Sequence, residues 1–303
     1  MIKTFLLRCF IFALAAFGCL CGVNAVLNTV RPRLFDMSGE HIAFFGNSHI
    51  ETSVDDAIVT GAVNFARSSE LPEYMFAKIK LLHKYNPGLD TVYVCLDNLM
   101  PYRQNIASEL MSPAFYDCLS PADYAVILRH GSFDEITHHL AHPLDKAKLI
   151  DYIFAATNPA HNIRQSIRIG GYMYLERDKL AQAIARARDS GPIARADKDL
   201  NAVAVHFFDR IYQYCKTNGI TLIFICAPQH PESPWDKTHY RHFAAGRYPD
   251  VPFLDFMNVS LPDSCFGDID HLNHRGARIF SRFLEDSVIH RPVKSRTYSG
   301  HIK

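Results

Sequence analysis

The 303-residue chain is 48% hydrophobic and 21% charged, with a formal net charge of +1. Those are ordinary values for a globular protein, and without a basic stripe they give no reason to expect nucleic acid as a partner. The length fits one large α/β domain, or such a domain with an inserted subdomain.

Lys3 and Arg8 precede an uncharged run of 22 residues, Cys9 to Val30. A membrane-spanning helix needs about 20 apolar residues. Residues 1–30 therefore read as a signal anchor meeting the membrane through residues 5–30. The cations before the run favour an inside N-terminus, which leaves the rest of the chain periplasmic or extracellular. Two alternatives stand beside it. Cleavage at Val23-Asn24-Ala25 would secrete the domain, and Cys19 after Ala16-Phe17-Gly18 is a poor lipobox. Residues 31–40, with Pro32 and Gly39, read as a linker.

An apolar run, Ile42 to Phe45, then ends abruptly in Gly46-Asn47-Ser48-His49. This is the pattern of a buried parallel strand entering a tight turn, and the carboxyl ends of such strands are where ligands bind. Ser48 is a candidate nucleophile; the competing reading is a serine that only caps a helix. Glu51 and Asp56 read as solvated surface. Ala62 to Ser69 reads as a second short strand running into a polar turn that carries Arg67. Leu71 to Tyr85 has helical apolar spacing and is closed by Asn86-Pro87-Gly88. Thr91 to Leu96 reads as a central strand ending at Asp97-Asn98.

Residues 103–200 carry no identifiable chemistry and read as a helical insertion that shapes a cleft. Gly170-Gly171-Tyr172-Met173-Tyr174 is expected as a loop, and Leu175 to Ala187 as a charged surface helix. His138, His139 and His142 cluster without carboxylates at a ligating spacing. Leu200 to Thr217 is amphipathic, with Val203, Phe207, Ile211 and Tyr214 on one face. Asn218-Gly219 caps it, and Ile220 to Ala227 is the clearest buried strand. Helix, turn and strand in this order form the repeating unit of a doubly wound sheet. His230 follows that strand. Val251 to Phe256 reads as the last strand, and residues 291–303 as a loose polar tail.

Near the C-terminus stands Asp268-Ile269-Asp270-His271-Leu272-Asn273-His274, with Asn273 placed to cap a final helix. A serine hydroxyl needs a base to take its proton, and the base works best when a carboxylate fixes its tautomer. Asp268 and His271, three apart, suit those roles. His230 competes as base but lacks an adjacent aspartate. Metal-dependent hydrolysis through Asp268, Asp270, His271 and His274 is a further alternative, although the helical zinc pattern is missing. Of the eight cysteines, Cys9, Cys19 and Cys21 lie in the apolar segment. The other five show no Cys-x-x-Cys pair, so no metal or other cofactor is expected. Cys95 and Cys226 read as small apolar core residues.

Gly46-Asn47-Ser48-His49 resembles the first block of the SGNH/GDSL hydrolases. Asp268-x-x-His271-Leu272-Asn273-x-x-Gly276-Ala277 resembles the last. The resemblance brackets residues from about 40 to 285. It implies a three-layer, flavodoxin-like, mostly parallel sheet with helices on both faces, over residues 31–290. It also implies Ser48 as nucleophile, His271 as base and Asp268 as its orienting acid. The oxyanion donors it implies are the backbone of Ser48, a backbone N–H near Ala66 and the Asn98 amide. The family's second-block glycine is missing at Ala66, so that role requires a turn without positive φ. His49, Arg67 and His230 become candidate cleft residues.

Anchored relatives in this family resemble polysaccharide O-acetylation proteins and the D-alanine transfer protein of teichoic acid synthesis. The implied activity is a serine esterase or acyltransferase on an acylated envelope glycan or small ester, working with envelope polysaccharide machinery. The alternative is a non-catalytic envelope protein that keeps the fold and binds a glycan or a partner.

Overall fold

The computed structural model describes residues 2–97, 100, 115, 117–131, 133, 146–158, 160, 169–176, 178–190, 200–234, 238–291, 294 and 296–301. Six strands form one parallel sheet in the order β2-β1-β3-β4-β5-β6. They are β1 (Ile42–Phe45), β2 (Ala62–Asn64), β3 (Thr91–Cys95), β4 (Thr221–Cys226), β5 (Phe253–Ser260) and β6 (Arg296–His301). This is the flavodoxin-like order with one strand added, and helices surround the sheet as expected. The strand order reverses between β1 and β3, with β2 added on one side and β4 to β6 on the other, so the crevice beyond their carboxyl ends is the switch point of the fold.

The central strands form where the apolar runs demand it. All four residues of β1 are buried, and Phe44 stacks on Tyr93 of β3 with centroids 4.7 Å apart. Helix α3 (Pro72–Tyr85) follows β2. Among the described residues of the insertion are the helices α4 (Pro121–His130), α5 (Lys146–Thr157) and α6 (Leu180–Ser190). The last begins five residues later than its charge pattern suggested. Helix α7 (Ala202–Asn218) buries Val203, Phe207 and Ile211 as its periodicity predicts, while Tyr214 is only partly covered. The Asn201 side chain caps it by accepting from Val203 N and Ala204 N, and α8 (His239–Arg247) lies between β4 and β5. Cys95 and Cys226 are fully buried. His138, His139 and His142 lie outside the described residues.

Three expectations are corrected. Residues 31–40 are not simply a linker. Helix α1 runs from Ile2 to Leu34 through Pro32, which removes one backbone donor near the helix end without stopping it. The outer part of α1 is exposed, apolar and long enough to cross a membrane. Its inner end docks instead. Leu27, Val30 and Leu34 are buried, Arg31 pairs with Asp117, and Arg33 Nη1 donates to Ala155 O of α5 at 2.7 Å. Second, β5 is longer than expected and is not the last strand, because the polar tail supplies β6 at the sheet edge. Third, Glu51 and Asp56 are not solvated surface. Glu51 is buried and accepts from Ser68 Oγ, while Asp56 Oδ2 accepts from Asn64 N at 2.8 Å.

Candidate active site

Gly46 lets the chain turn sharply off β1. A Cβ there would sit 2.5 Å from Cys95 Cβ and 2.9 Å from Ile50 Cγ1, so β1 and β3 approach too closely for any side chain. Asn47 then caps the short helix α2 (Ser48–Glu51), its Oδ1 accepting from His49 N at 2.9 Å. Ser48 thus stands at the first helical position, just beyond the carboxyl end of β1. Its N–H has no acceptor within the helix.

The second half of the site is a tight loop at the far end of the chain. Phe266 and Leu272 form an antiparallel bridge, and Gly267 N donates to His271 O at 2.9 Å. Within the loop one oxygen, Asp268 Oδ1, accepts from Asp270 N at 3.0 Å, His271 N at 3.0 Å and His271 Nδ1 at 2.8 Å. A carboxylate only accepts, so Nδ1 carries the hydrogen and Nε2 keeps its lone pair. His271 Nε2 lies 2.8 Å from Ser48 Oγ. The loop and the Ser48 turn are 223 positions apart and meet at the same edge of the sheet. Asn273 caps α9 (His274–Leu284) through Arg275 N and Gly276 N, fixing the loop's exit.

A second aspartate–histidine pair lies next to the first. Asp97, at the end of β3, is buried, and its Oδ2 accepts from Asn47 Nδ2 at 2.9 Å and pairs with His49 Nδ1 at 2.7 Å. It therefore clamps both neighbours of Ser48. The His49 and His271 rings are 5.3 Å apart. The Gln229 amide nitrogen lies 3.2 Å from His49 Nδ1, and Ser233 Oγ bridges Gln229 Oε1 at 3.4 Å and Asp270 Oδ1 at 3.0 Å. A chain of polar contacts thus joins the Ser48 turn to the His271 loop behind the reacting atoms. Sequence reading placed Asp97 only at a strand end and missed Gln229, Ser233 and Asp270 in this role. The available signal was register. Phe45 pairs with Val94, so carrying the parallel alignment two residues on brings Asn47 beside the end of β3.

Burial alone would lower the His49 pKa, but the nearby Asp97 carboxylate outweighs it and the pKa is raised. The sign follows from linkage. Stability from this pair is complete below the ordinary histidine value of 6.5 and is lost as pH rises through the raised folded value. We expect Tm to fall with rising pH above that point. Asp97→Asn, which keeps the shape but not the charge, should flatten the slope in thermal unfolding scans. An unchanged slope in the variant would refute the assignment.

The remaining expected residues divide as follows. The Ala66 N–H does not fit the oxyanion role expected of it, because it donates to Asn64 Oδ1 at 2.8 Å inside its own turn. The same turn adopts a positive φ, at Ser69 (57°). Asn98 lies outside the described residues. The Arg67 N–H ties its turn to Gly46 O at 2.9 Å. His230 does have an aspartate within reach, Asp263 at 3.3 Å, contrary to expectation, but its ring packs on Phe266 and it makes no hydrogen bond to Ser48. His274 stacks on Tyr174, with Nδ1 3.2 Å from Leu175 O, so it does not join Asp268, Asp270 and His271 as a ligand set. Among the described residues no cluster of three metal-ligating side chains is found.

The glycine-rich stretch forms a strap across the site edge. Gly170 and Gly171 adopt φ of 144° and 140°. A Cβ on Gly170 would fall 2.2 Å from Phe65 O. Gly171 N donates to Ala66 O, Met173 N to Glu51 O, and His274 N to Leu175 O. The strap so connects the β2 turn, α2 and the start of α9.

A family model that carries no description matches residues 176–292, less than half of the chain. The match takes in the Asp268–His271 loop but not Ser48. No curated protein matches the chain.

Proposed function

We propose that the protein is a serine esterase or acyltransferase of SGNH type, acting on an ester-linked acyl group of a cell-envelope glycan. The observation that carries this reading is the unbroken Ser48–His271–Asp268 chain, with both links at 2.8 Å. Ser48 Oγ attacks the ester carbonyl while His271 Nε2 takes its proton. Asp268 holds the imidazole and stabilises the imidazolium that forms. The tetrahedral oxyanion meets the Ser48 N–H at the start of α2, and each donor of this kind is worth on the order of 3 kcal/mol in the barrier. Collapse expels the alcohol, which receives the proton from His271, and leaves an acyl-serine. Water or a second hydroxyl, deprotonated by His271, then attacks that acyl group, and the adduct breaks its bond to Ser48 Oγ, which takes the proton back from His271.

The envelope setting is supported by α1, whose apolar part can cross a bilayer. Lys3 and Arg8 before the apolar run favour the domain on the outer side. A second reading, a non-catalytic envelope protein that binds a glycan or a partner, draws on the Ala66 N–H, which is committed to Asn64.

Fluorophosphonate labelling of the full chain in detergent separates the two. We expect stoichiometric labelling of the wild type, and none in Ser48→Ala or His271→Ala. A folded wild type that is not labelled would sink the enzyme reading.

A further inference from the structure

A cavity of about 270 Å³ opens beside His271. One wall is the 268–271 loop. The other is a stripe of α6 and the residue before it: Lys179, Gln182, Ala183 and Arg186. Those positions recur at i, i+3, i+4 and i+7, so they share one helix face. The small Ala183 at the middle of the stripe keeps the cavity open. Both ends of the stripe are fastened. Lys179 N donates to Gly267 O at 2.9 Å, and Arg188 forms an ion pair with Glu232 at 2.9 Å.

The acidic and basic groups around this cavity are not equally available. Asp268 is occupied by His271 and two backbone N–H groups, and Asp270 accepts from Ser233. Lys179 and Arg186 are exposed and have no ion-pair partner among the described residues. The walls therefore bring two cations, without an ion-pair partner among the described residues, into the cavity that His271 also lines.

Chemistry decides which half of the substrate reaches them. The group that returns a proton to the leaving alcohol stands beside that alcohol. A cavity walled by His271 accordingly takes the alcohol, not the acyl chain. Resting on the esterase or acyltransferase reading above, we propose that this cavity is an anion subsite for the glycan alcohol. Lys179 and Arg186 hold a carboxylate or phosphate on the sugar, and Gln182 hydrogen-bonds its hydroxyls. The substrate is then an acidic glycan. Exposed cations act through a screened field, so the selectivity is moderate and salt-dependent.

The test compares three mono-O-acetylated sugars on the full chain in detergent: methyl glucuronoside, methyl glucoside 6-phosphate and neutral methyl glucoside. We expect kcat/KM for the acidic esters to exceed the neutral one by roughly tenfold. The difference should lie in KM and shrink with added salt. Preference for only one acidic ester identifies the anion as carboxylate or phosphate. Lys179→Met/Arg186→Met should lose the preference, and Lys179→Arg/Arg186→Lys should retain it. Equal kcat/KM for all three esters, or a preference that survives the methionine pair, overturns the proposal. Fluorophosphonate labelling of the same wild-type sample separates the two ideas. Labelling without acid preference sinks the subsite alone, whereas no labelling sinks the enzyme reading. In that second case, binding of unacetylated methyl glucuronoside and methyl glucoside is read by saturation-transfer NMR. Selective binding of the glucuronoside that is lost in the methionine pair supports the subsite, and any other pattern overturns it.

Discussion

Replacing Asp268 by alanine should slow fluorophosphonate labelling of Ser48 by about 10⁴-fold, close to 5 kcal/mol in the barrier. Replacing it by asparagine should cost much less, about 10²-fold. The difference comes from one atom. Asp268 Oδ1 alone accepts from Asp270 N, His271 N and His271 Nδ1. The two backbone N–H groups demand an acceptor at that point, so an asparagine amide settles with its oxygen there. His271 Nδ1 then still donates, and Nε2 still faces Ser48 as an acceptor. What is lost is the negative charge that stabilises the imidazolium, and charged hydrogen bonds are roughly twice as strong as neutral ones. Alanine removes all three contacts, freeing both the ring and the loop. Equal rates for the two variants would show that the backbone does not fix the amide. A wild-type rate for Asp268→Ala would remove Asp268 from the mechanism.

Lys78→Met should destabilise the fold by about 3–5 kcal/mol. Lys78 and Glu70 form a buried ion pair at 2.5 Å, and Lys78 Nζ also donates to Phe65 O at 2.8 Å. Burial pushes the Glu70 carboxyl up to about 7 despite the lysine. Without Lys78 the carboxylate loses its counter-charge and Phe65 O loses a donor. The double variant Lys78→Met/Glu70→Leu should recover most of the loss, since apolar packing replaces both charges. The penalty of the single variant should also shrink at acidic pH, where Glu70 takes up a proton. Urea unfolding at pH 5 and about pH 8, on either side of that value, checks both statements. A loss below about 1 kcal/mol, or a double variant no better than the single, would be decisive against them. The pair bears on the site because it supports the Phe65–Glu70 turn, against which Gly170 and the strap are seated.

The readable parts of this protein share a physical cause. β1, β3 and β4 are continuous apolar runs because parallel strands are covered on both faces. Helix α7 shows its apolar stripe because one side meets the core. Ser48, Asp268 and His271 sit in short local motifs whose geometry a few residues determine. Asp97 was not readable as a clamp because its partners lie 48 and 50 positions away and meet it only once β1 and β3 pair. Strand β6, Arg-Thr-Tyr-Ser-Gly-His, lies at the sheet edge, where pairing imposes no apolar pattern. Glu51 gave no sign of burial because its partner Ser68 comes from the turn after the next strand. The continuation of α1 past Pro32 was hidden for a similar reason. The tertiary contacts of Arg31 and Arg33 hold what Pro32 would otherwise loosen.

That docked helix end changes how the domain would explore its surroundings. Ten free residues between the apolar segment and β1 would behave as a tether with a sweep of roughly 17 Å, letting the domain sample a dome of positions. A 33-residue helix, about 50 Å long, whose last turns are packed into the domain, behaves as a mast. The reach of Ser48 from the apolar end of that mast is a fixed height with a fixed bearing. On the acyl-transfer reading proposed above, donor and acceptor would both have to be delivered to one narrow layer, and whatever delivered them would set the rate at which the site is fed.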